Sequence, residues 1–85
     1  MPEFISSRNF AAGEEIFRIG DRGRHAYFIE SGGVEVSIPK DGETIIIAEL
    51  GVGEIFGEMS MIDDAPRSAT VTAKVDTEVF EIQRS

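Results

Sequence analysis

The chain has 85 residues, enough for one small domain, and 41% of them are hydrophobic, which is typical of a folded protein rather than a disordered one. Its 16 acidic and 8 basic residues give a net charge of −8, which argues against binding to nucleic acid or an anionic membrane, because both need clustered Lys and Arg. With no cysteine and one histidine, thiolate catalysis, disulfides and His-rich metal sites are excluded, and no apolar run approaches the ~20 residues of a membrane span.

Glycines at short intervals divide the chain into apolar runs of a length that is typical of strands. The first two predicted strands are Glu15–Ile19 and Tyr27–Ile29. The third, Val34–Ile38, alternates apolar and polar residues, as a half-buried strand does. The pair Gly32-Gly33 separates the second and third strands. Because both of its positions tolerate positive φ, it predicts a two-residue hairpin there.

Three further strands follow along the chain. Asp41-Gly42 predicts a second hairpin, which leads into the strand Thr44–Leu50. Ala69–Ala73 alternates small apolar residues with threonine, and Val79–Ile82 is the last predicted strand. Short strands at this spacing predict a mostly β domain, an antiparallel β-sandwich or jelly roll, also called a double-stranded β-helix.

Residues 56–67 interrupt the strand pattern. The run Glu58–Ile62 lacks the alternation of a strand, and its Glu and Met residues favour a helix. We predict a short helix that begins at Gly57 and ends before Pro66, which pushes the residue before it towards an extended conformation. Insertions of this kind in a compact domain are often functional.

This insertion has the chemistry of an anion site. The N–H groups of Met59 and Ser60 at the start of the helix are candidates to bind an anion. Arg67 follows Glu58 by nine positions, and its guanidinium can grip the same anion with two parallel hydrogen bonds, while Ser68 adds a hydroxyl donor. Glu58 beside a bound anion makes sense if its carboxylate accepts hydrogen bonds from ligand hydroxyls. The expected ligand therefore carries both a phosphate and a neighbouring hydroxyl.

The same segment resembles the phosphate-binding cassette of cyclic nucleotide-binding domains, the family of catabolite activator protein, protein kinase A regulatory subunits and cyclic nucleotide-gated channels. The matching runs are Phe-Gly-Glu-Met-Ser-Met at 56–61 and Arg-Ser-Ala-Thr-Val-Thr-Ala at 67–73. Residues 16–32 are similar to the family's glycine-bounded second and third strands, so the resemblance covers nearly the whole chain. It implies a regulatory sensor domain that binds cAMP or, less frequently in the family, cGMP.

The resemblance assigns site residues one by one. Glu58 matches the glutamate that binds the ribose 2′-hydroxyl, and Arg67 matches the arginine that holds the cyclic phosphate. Ser68 matches a position whose hydroxyl reaches the phosphate or helps to select guanine. Positions that offer backbone contacts to ribose and phosphate correspond to Gly57, Met59, Ser60 and Ala69. His25 is interpreted as a turn residue without a function, and we expect no catalytic residue, no metal site and no cofactor besides the nucleotide ligand.

The family's barrel normally lies between helices, the last of which closes over the base as a lid. Since the sequence stops at Ser85, we expect a single cytoplasmic barrel over residues 1–85 that lacks the lid and is a fragment of a larger signalling protein. A homodimer or an attached effector domain in that parent stays open. One alternative is a degenerate jelly roll that serves for interaction or dimerisation and binds no nucleotide, against which the intact Glu58 and Arg67 argue. Another is a scaffold whose exposed strands pair with a second copy.

Overall fold

The computed structural model describes residues 2–59 and 64–84. These residues form two four-stranded antiparallel sheets with the strand orders β1-β8-β3-β6 and β2-β7-β4-β5. The strands are β1 Pro2–Phe10, β2 Glu15–Phe17, β3 His25–Ser31, β4 Gly33–Lys40, β5 Glu43–Gly51, β6 Ile55–Phe56, β7 Thr70–Ala73 and β8 Thr77–Arg84. The predicted fold class, a mostly β antiparallel sandwich of the jelly-roll kind, is confirmed. Within the described residues no helix is long and apolar enough to cross a membrane.

The core lies between the two sheets, and strand alternation places its side chains there. In β7, Val71 and Ala73 are buried, while Thr70 and Thr72, which alternate with them, are half exposed. Ile29, Val34 and Val79 are the largest fully buried side chains. Each contributes about 1.5–3 kcal/mol relative to an exposed position. Since Ile29 and Val79 belong to one sheet and Val34 to the other, these three residues hold the two layers together.

The predicted hairpin at Gly32-Gly33 is wrong, because the chain crosses from one sheet to the other at this point. β3 pairs with β6 and β8, whereas β4 pairs with β5 and β7. The buried Thr77 hydroxyl accepts a hydrogen bond from the Gly33 N–H at 3.1 Å and lies 2.9 Å from the Gly33 carbonyl oxygen. Gly32 has φ +85°, and a Cβ there would collide with the Asp76 carbonyl oxygen. The two glycines therefore allow a close backbone approach rather than a tight turn.

The second predicted hairpin, at Asp41-Gly42, is confirmed. Lys40 and Glu43 are paired across the turn, and φ is +53° at Asp41 and +80° at Gly42. Positive φ at both central residues is what a type I′ hairpin turn requires. The predicted strand that follows lies within β5.

Three turns have the same hydrogen-bond pattern, in which a side-chain carboxylate accepts a hydrogen bond from a backbone N–H of the same turn. They span residues 11–14, 18–21 and 51–54, and each has a glycine with φ near +90° at its third position. The carboxylate of the fourth residue accepts a hydrogen bond of 2.7–3.0 Å from the N–H of the first. The N–H of the fourth residue donates to the carbonyl of the first at 3.0–3.1 Å. The middle turn, which ends at Asp21, belongs to the candidate site.

Candidate functional site

A cleft of about 420 Å³ is bounded by side chains of β2, β4, β5, β6 and β7 and by the segments on both sides of residues 60–63. This volume falls within the range of small-molecule sites, ~300–1,000 Å³. Six of the seven residues that the sequence predicted line the cleft: Gly57, Glu58, Met59, Arg67, Ser68 and Ala69. The seventh, Ser60, lies outside the described residues, as do Met61 and Ile62 of the predicted helix.

The cleft has an apolar wall and a polar end. The wall is made by the side chains of Phe17, Val36, Leu50, Ile55 and Val71, which come from five different strands. The polar end carries Arg67, Glu58 and Ser68. An arrangement of this kind suits a ligand with one flat apolar part and one charged part, because each part then meets matching surroundings.

Arg67 is the most unusual residue of the polar end, because it is a charged side chain with only 5% of its surface exposed. Its Nη1 donates a hydrogen bond to the Gly57 carbonyl at 3.0 Å, and its Nη2 donates to the His25 carbonyl at 2.8 Å. The Phe17 ring lies under the guanidinium, with its centroid 4.0 Å from Cζ, which is close enough for a cation–π interaction. The Nε atom is buried and has no hydrogen-bond partner.

The buried positive charge of Arg67 has no anionic partner among the described residues. Burial lowers the pKa of its guanidinium, while Tyr27 and Asp21 act in the opposite direction. No carboxylate of the described residues lies within ion-pair distance of it. A buried cation held only by neutral carbonyls, with one N–H unsatisfied, is costly in the absence of a counterion. An anion in the cleft would remove that cost.

The loop between β2 and β3 fixes the backbone of Arg67. The Arg67 N–H donates to the Asp21 carbonyl and the Arg67 carbonyl accepts from the Gly20 N–H, both at 2.8 Å. A Cβ added at Gly23 would lie 2.6 Å from Nη2, and one added at Gly57, where φ is +77°, would lie 2.8 Å from Nη1. Glycine at both positions therefore gives the guanidinium its room.

Sequence reasoning missed the residues that hold Arg67. His25 is the first residue of β3 rather than a turn residue, and its carbonyl, not its imidazole, contacts the guanidinium. Phe17 and Gly23 also escaped prediction. The available signal was the run Gly-Asp-Arg-Gly at 20–23, which marks a turn but does not say what the turn packs against.

The remaining predicted side chains lie at the surface of the cleft. Glu58, Met59 and Ser68 are exposed, and Met59 has 60% of its surface open to solvent. Their polar atoms are therefore accessible to a ligand that enters from solvent. Ala69 is half buried and directly precedes the first residue of β7.

An aromatic cluster supports the polar end from behind. The rings of Tyr27 and Phe56 stack at 5.2 Å, and the Phe17 ring lies 6.1 Å from Tyr27 and 5.9 Å from Phe56. Burial, with the charge of Glu81 beside it, raises the pKa of Tyr27. Because the three rings pack against one another, the Phe17 ring that contacts the guanidinium is held in a fixed position.

A buried carboxylate lies beyond this cluster. Glu81 of β8 accepts hydrogen bonds from the Ser6 hydroxyl at 2.8 Å and from Arg8 at 3.2 Å, both on β1. Its burial acts to raise the pKa of Glu81, but the hydrogen bonds from Ser6 and Arg8 outweigh that effect and hold the pKa below its usual value. Glu81 therefore ties the edge strand β1 to the sheet.

Comparisons with known proteins agree on one family. The family model described as the cyclic nucleotide-binding domain matches residues 7–85. A cyclic AMP receptor protein of Thermus thermophilus is 38% identical over 82 residues, which cover 95% of this chain and 38% of that protein. A cAMP-dependent protein kinase regulatory subunit of Debaryomyces hansenii is 38% identical over 73 residues, 86% of this chain and 16% of that subunit.

A solved structure gives the same picture. The cAMP-bound form of the EAL enzyme Bd1971 is 42% identical and superposes with a TM-score of 0.88, over 92% of this chain and 21% of that one. The chain thus spans well under half the length of each of these three proteins.

Proposed function

This chain belongs to the cyclic nucleotide-binding domain family, and from that membership we propose that its cleft binds a 3′,5′-cyclic nucleotide, cAMP in preference to cGMP. Its role is that of a regulatory sensor inside a longer protein rather than that of an enzyme. In that parent, binding at the cassette would move the segment that follows β8, and an attached effector would respond to the movement.

The observation that carries the proposal is the buried guanidinium of Arg67 with its unpartnered Nε. A cyclic phosphate has one negative charge, so a single arginine neutralises it, and its oxygens accept the N–H that the protein leaves unsatisfied. The backbone of Gly57, Met59 and Ala69, and that of Ser60 outside the described residues, would contact the ribose and the phosphate, as the matching positions do in the family.

The ribose and the base fit the rest of the cleft. A 3′,5′-cyclic nucleotide has one free ribose hydroxyl, the 2′, and the exposed carboxylate of Glu58 accepts its hydrogen bond. The base lies against the apolar wall that contains Val36, Leu50 and Val71. Ser68, exposed at the rim, reaches the phosphate in either nucleotide and also contacts guanine when cGMP is bound.

Calorimetric titration of the chain with cAMP, cGMP and adenosine 5′-monophosphate tests the proposal. We expect one cAMP per chain and weaker binding of cGMP. Adenosine 5′-monophosphate should bind most weakly, because the second negative charge of its non-cyclic phosphate has no partner in the site. At a hundredfold excess over Kd, cAMP should raise the free energy of unfolding by about 2.7 kcal/mol. Absence of both heat and stabilisation in a folded sample would instead support a degenerate, interaction-only jelly roll.

A further inference from the structure

The strand β5 presents an uncovered edge. It is the last strand of its sheet and pairs with β4 only, and in the described part of the chain no other strand lies along its far side. Every residue from Glu43 to Glu49 is exposed. Three consecutive isoleucines occupy its centre, with 39%, 51% and 54% of the surfaces of Ile45, Ile46 and Ile47 open to solvent. A long edge strand with exposed apolar side chains is a template for pairing with another strand.

The register shows which backbone groups of β5 are free. Lys40 pairs with Glu43, Pro39 with Thr44, and Ser37 with Ile46. In an antiparallel ladder, hydrogen-bonded and non-hydrogen-bonded pairs alternate. Because proline has no N–H to donate, the pair with Thr44 is of the non-hydrogen-bonded kind, and so is the pair with Ile46 two residues on. The N–H and carbonyl groups of Thr44 and Ile46 therefore point away from β4, towards the open edge.

An irregularity limits how much of this edge another strand can use. The register moves from Ser37↔Ile46 to Val36↔Ala48, so Ile47 is an extra residue that bulges out of the pairing. A bulge disrupts regular pairing and increases the local twist. The accessible part of the edge is thus the stretch from Glu43 to Ile46, which offers two donors and two acceptors.

The negative charge around the β5 edge favours a basic partner over a second copy of this chain. Glu43 and Glu49 flank the isoleucines, and Glu35 is paired with Glu49 on the neighbouring strand, where Lys74 forms an ion pair with Glu49 at 2.9 Å. A second copy paired on the same stretch would bring another Glu43 to an edge that already carries Glu43 and Glu49, and like charges close together across strands are destabilising. Both copies would also carry a charge of −8. A segment rich in Lys or Arg would instead be attracted by these glutamates, because opposite charges on neighbouring strands are stabilising.

We propose that the β5 edge binds an extended polypeptide segment of alternating apolar and basic residues, which adds to the sheet as a strand. Its backbone pairs with Thr44 and Ile46, its apolar side chains pack on the face that carries Ile46, and its Lys or Arg residues lie on the opposite face beside Glu43. Main-chain hydrogen bonds supply affinity in this mode of recognition and the side chains supply specificity.

Three short peptides test the proposal on the whole chain without any nucleotide. The first alternates valine and lysine, the second has glutamate in place of lysine, and the third is the first with its alternate amides N-methylated. We expect the first to bind and to shift the Thr44 and Ile46 amide resonances. The other two should bind at least about tenfold more weakly, because one lacks the complementary charge and the other the backbone donors.

A pair of matched variants assigns the binding to this edge. Ile46→Lys changes an exposed residue of β5, and Val75→Lys changes a residue of similar exposure, 48%, in the turn before β8. We expect Ile46→Lys to weaken binding of the lysine peptide at least about tenfold and Val75→Lys to leave it within about twofold. The proposal is overturned if the lysine peptide does not bind, if the glutamate or the N-methylated peptide binds as tightly as the lysine peptide, or if both variants behave alike. It is also overturned if the chain dimerises in analytical ultracentrifugation and Ile46→Lys makes it monomeric, since the occupant is then a second copy.

Discussion

At the scale of the residue, Arg67 is a buried cation for which no carboxylate of the described residues lies within ion-pair distance. Its Nη atoms are held by two backbone carbonyls and its face by Phe17. None of these neighbours carries a formal charge, which supports the proposed role of the guanidinium as the partner of a ligand phosphate. Arginine keeps this charge at any ordinary pH even when burial lowers its pKa.

Replacement of Arg67 tests this assignment. In Arg67→Lys the charge stays, but a single ammonium group cannot contact both carbonyls and the phosphate, so we expect a loss of about 1.5–3 kcal/mol in cAMP binding, roughly ten- to hundredfold. Arg18→Lys, an exposed change in the loop between β2 and β3, is the control and should bind normally. Calorimetry that gives equal affinities for the two folded variants would rule out a phosphate contact at Arg67.

Glu58 is tested with a modified ligand. Glu58→Gln weakens the acceptor for the ribose hydroxyl, so it should reduce the affinity for cAMP by about 1.5–3 kcal/mol, the range of charge-assisted hydrogen bonds, and leave that for 2′-deoxy-cAMP nearly unchanged. Glu30→Gln, exposed at the end of β3, controls for the change in net charge. Equal losses for both nucleotides would mean that Glu58 acts on something other than the 2′-hydroxyl.

The cassette was predictable because its residues are close in sequence. Glu58 and Arg67 are nine positions apart, so the motif could be recognised in one stretch. Phe17, Gly23 and His25 could not be found in this way, because they come from distant parts of the chain and act through a ring face, a missing side chain and a backbone carbonyl. Such contributions leave no signature in residue type.

At the scale of the element, the loop between β2 and β3 is the support of the site. Gly23→Ala would place a Cβ 2.6 Å from Nη2 of Arg67, so the guanidinium must shift from its position. Gly51→Ala is the matched control, because its Cβ would meet no atom within 4 Å and its φ is ordinary. We expect Gly23→Ala to weaken cAMP binding at least about tenfold and Gly51→Ala to have no effect, as measured by calorimetry. Normal binding by Gly23→Ala would show that the loop does not hold Arg67 in place.

The crossover between the sheets depends on the buried hydroxyl of Thr77. Thr77→Val removes the acceptor of the Gly33 N–H, and a buried donor left unsatisfied costs about 1–3 kcal/mol. Thr77→Ser keeps the hydroxyl and should lose less. Urea denaturation of both variants and of the unchanged protein measures the difference, and a Thr77→Val variant as stable as the unchanged protein would show that the hydrogen bond does not contribute at this position.

The elements were predicted well where they alternate and poorly where they do not. β7 was visible because its buried residues alternate with threonine. β1 was missed because its run Ser-Ser-Arg-Asn is polar throughout, and it is held instead by pairing with β8 and by contacts of Ser6 and Arg8 with Glu81. β6 has two residues, too few for any pattern. Gly32-Gly33 was misinterpreted because close packing and tight turns both require glycine.

At the scale of the whole molecule, the Glu81 carboxylate links stability to pH. Its pKa in the folded protein lies below the usual value, so the unfolded chain binds the proton more readily. The stabilisation is therefore complete above the unfolded pKa, near 4.5, and is lost as the pH falls through the folded value. Urea denaturation at pH 7 and pH 4 should show a smaller acid-induced loss in Glu81→Gln than in the unchanged protein. Parallel losses would exclude Glu81 as a source of acid sensitivity.

The central claim is that the cleft binds a cyclic nucleotide through the Arg67 guanidinium, and the Arg67 Nε–H resonance tests it most directly. This resonance, assigned by its disappearance in Arg67→Lys, can be followed by NMR while cAMP or adenosine is added to the chain. Because Nε is buried without a partner, we predict a large, saturable shift with cAMP and none with adenosine, which has no phosphate. A resonance that stays in place at saturating cAMP, or that moves equally with adenosine, would contradict the claim.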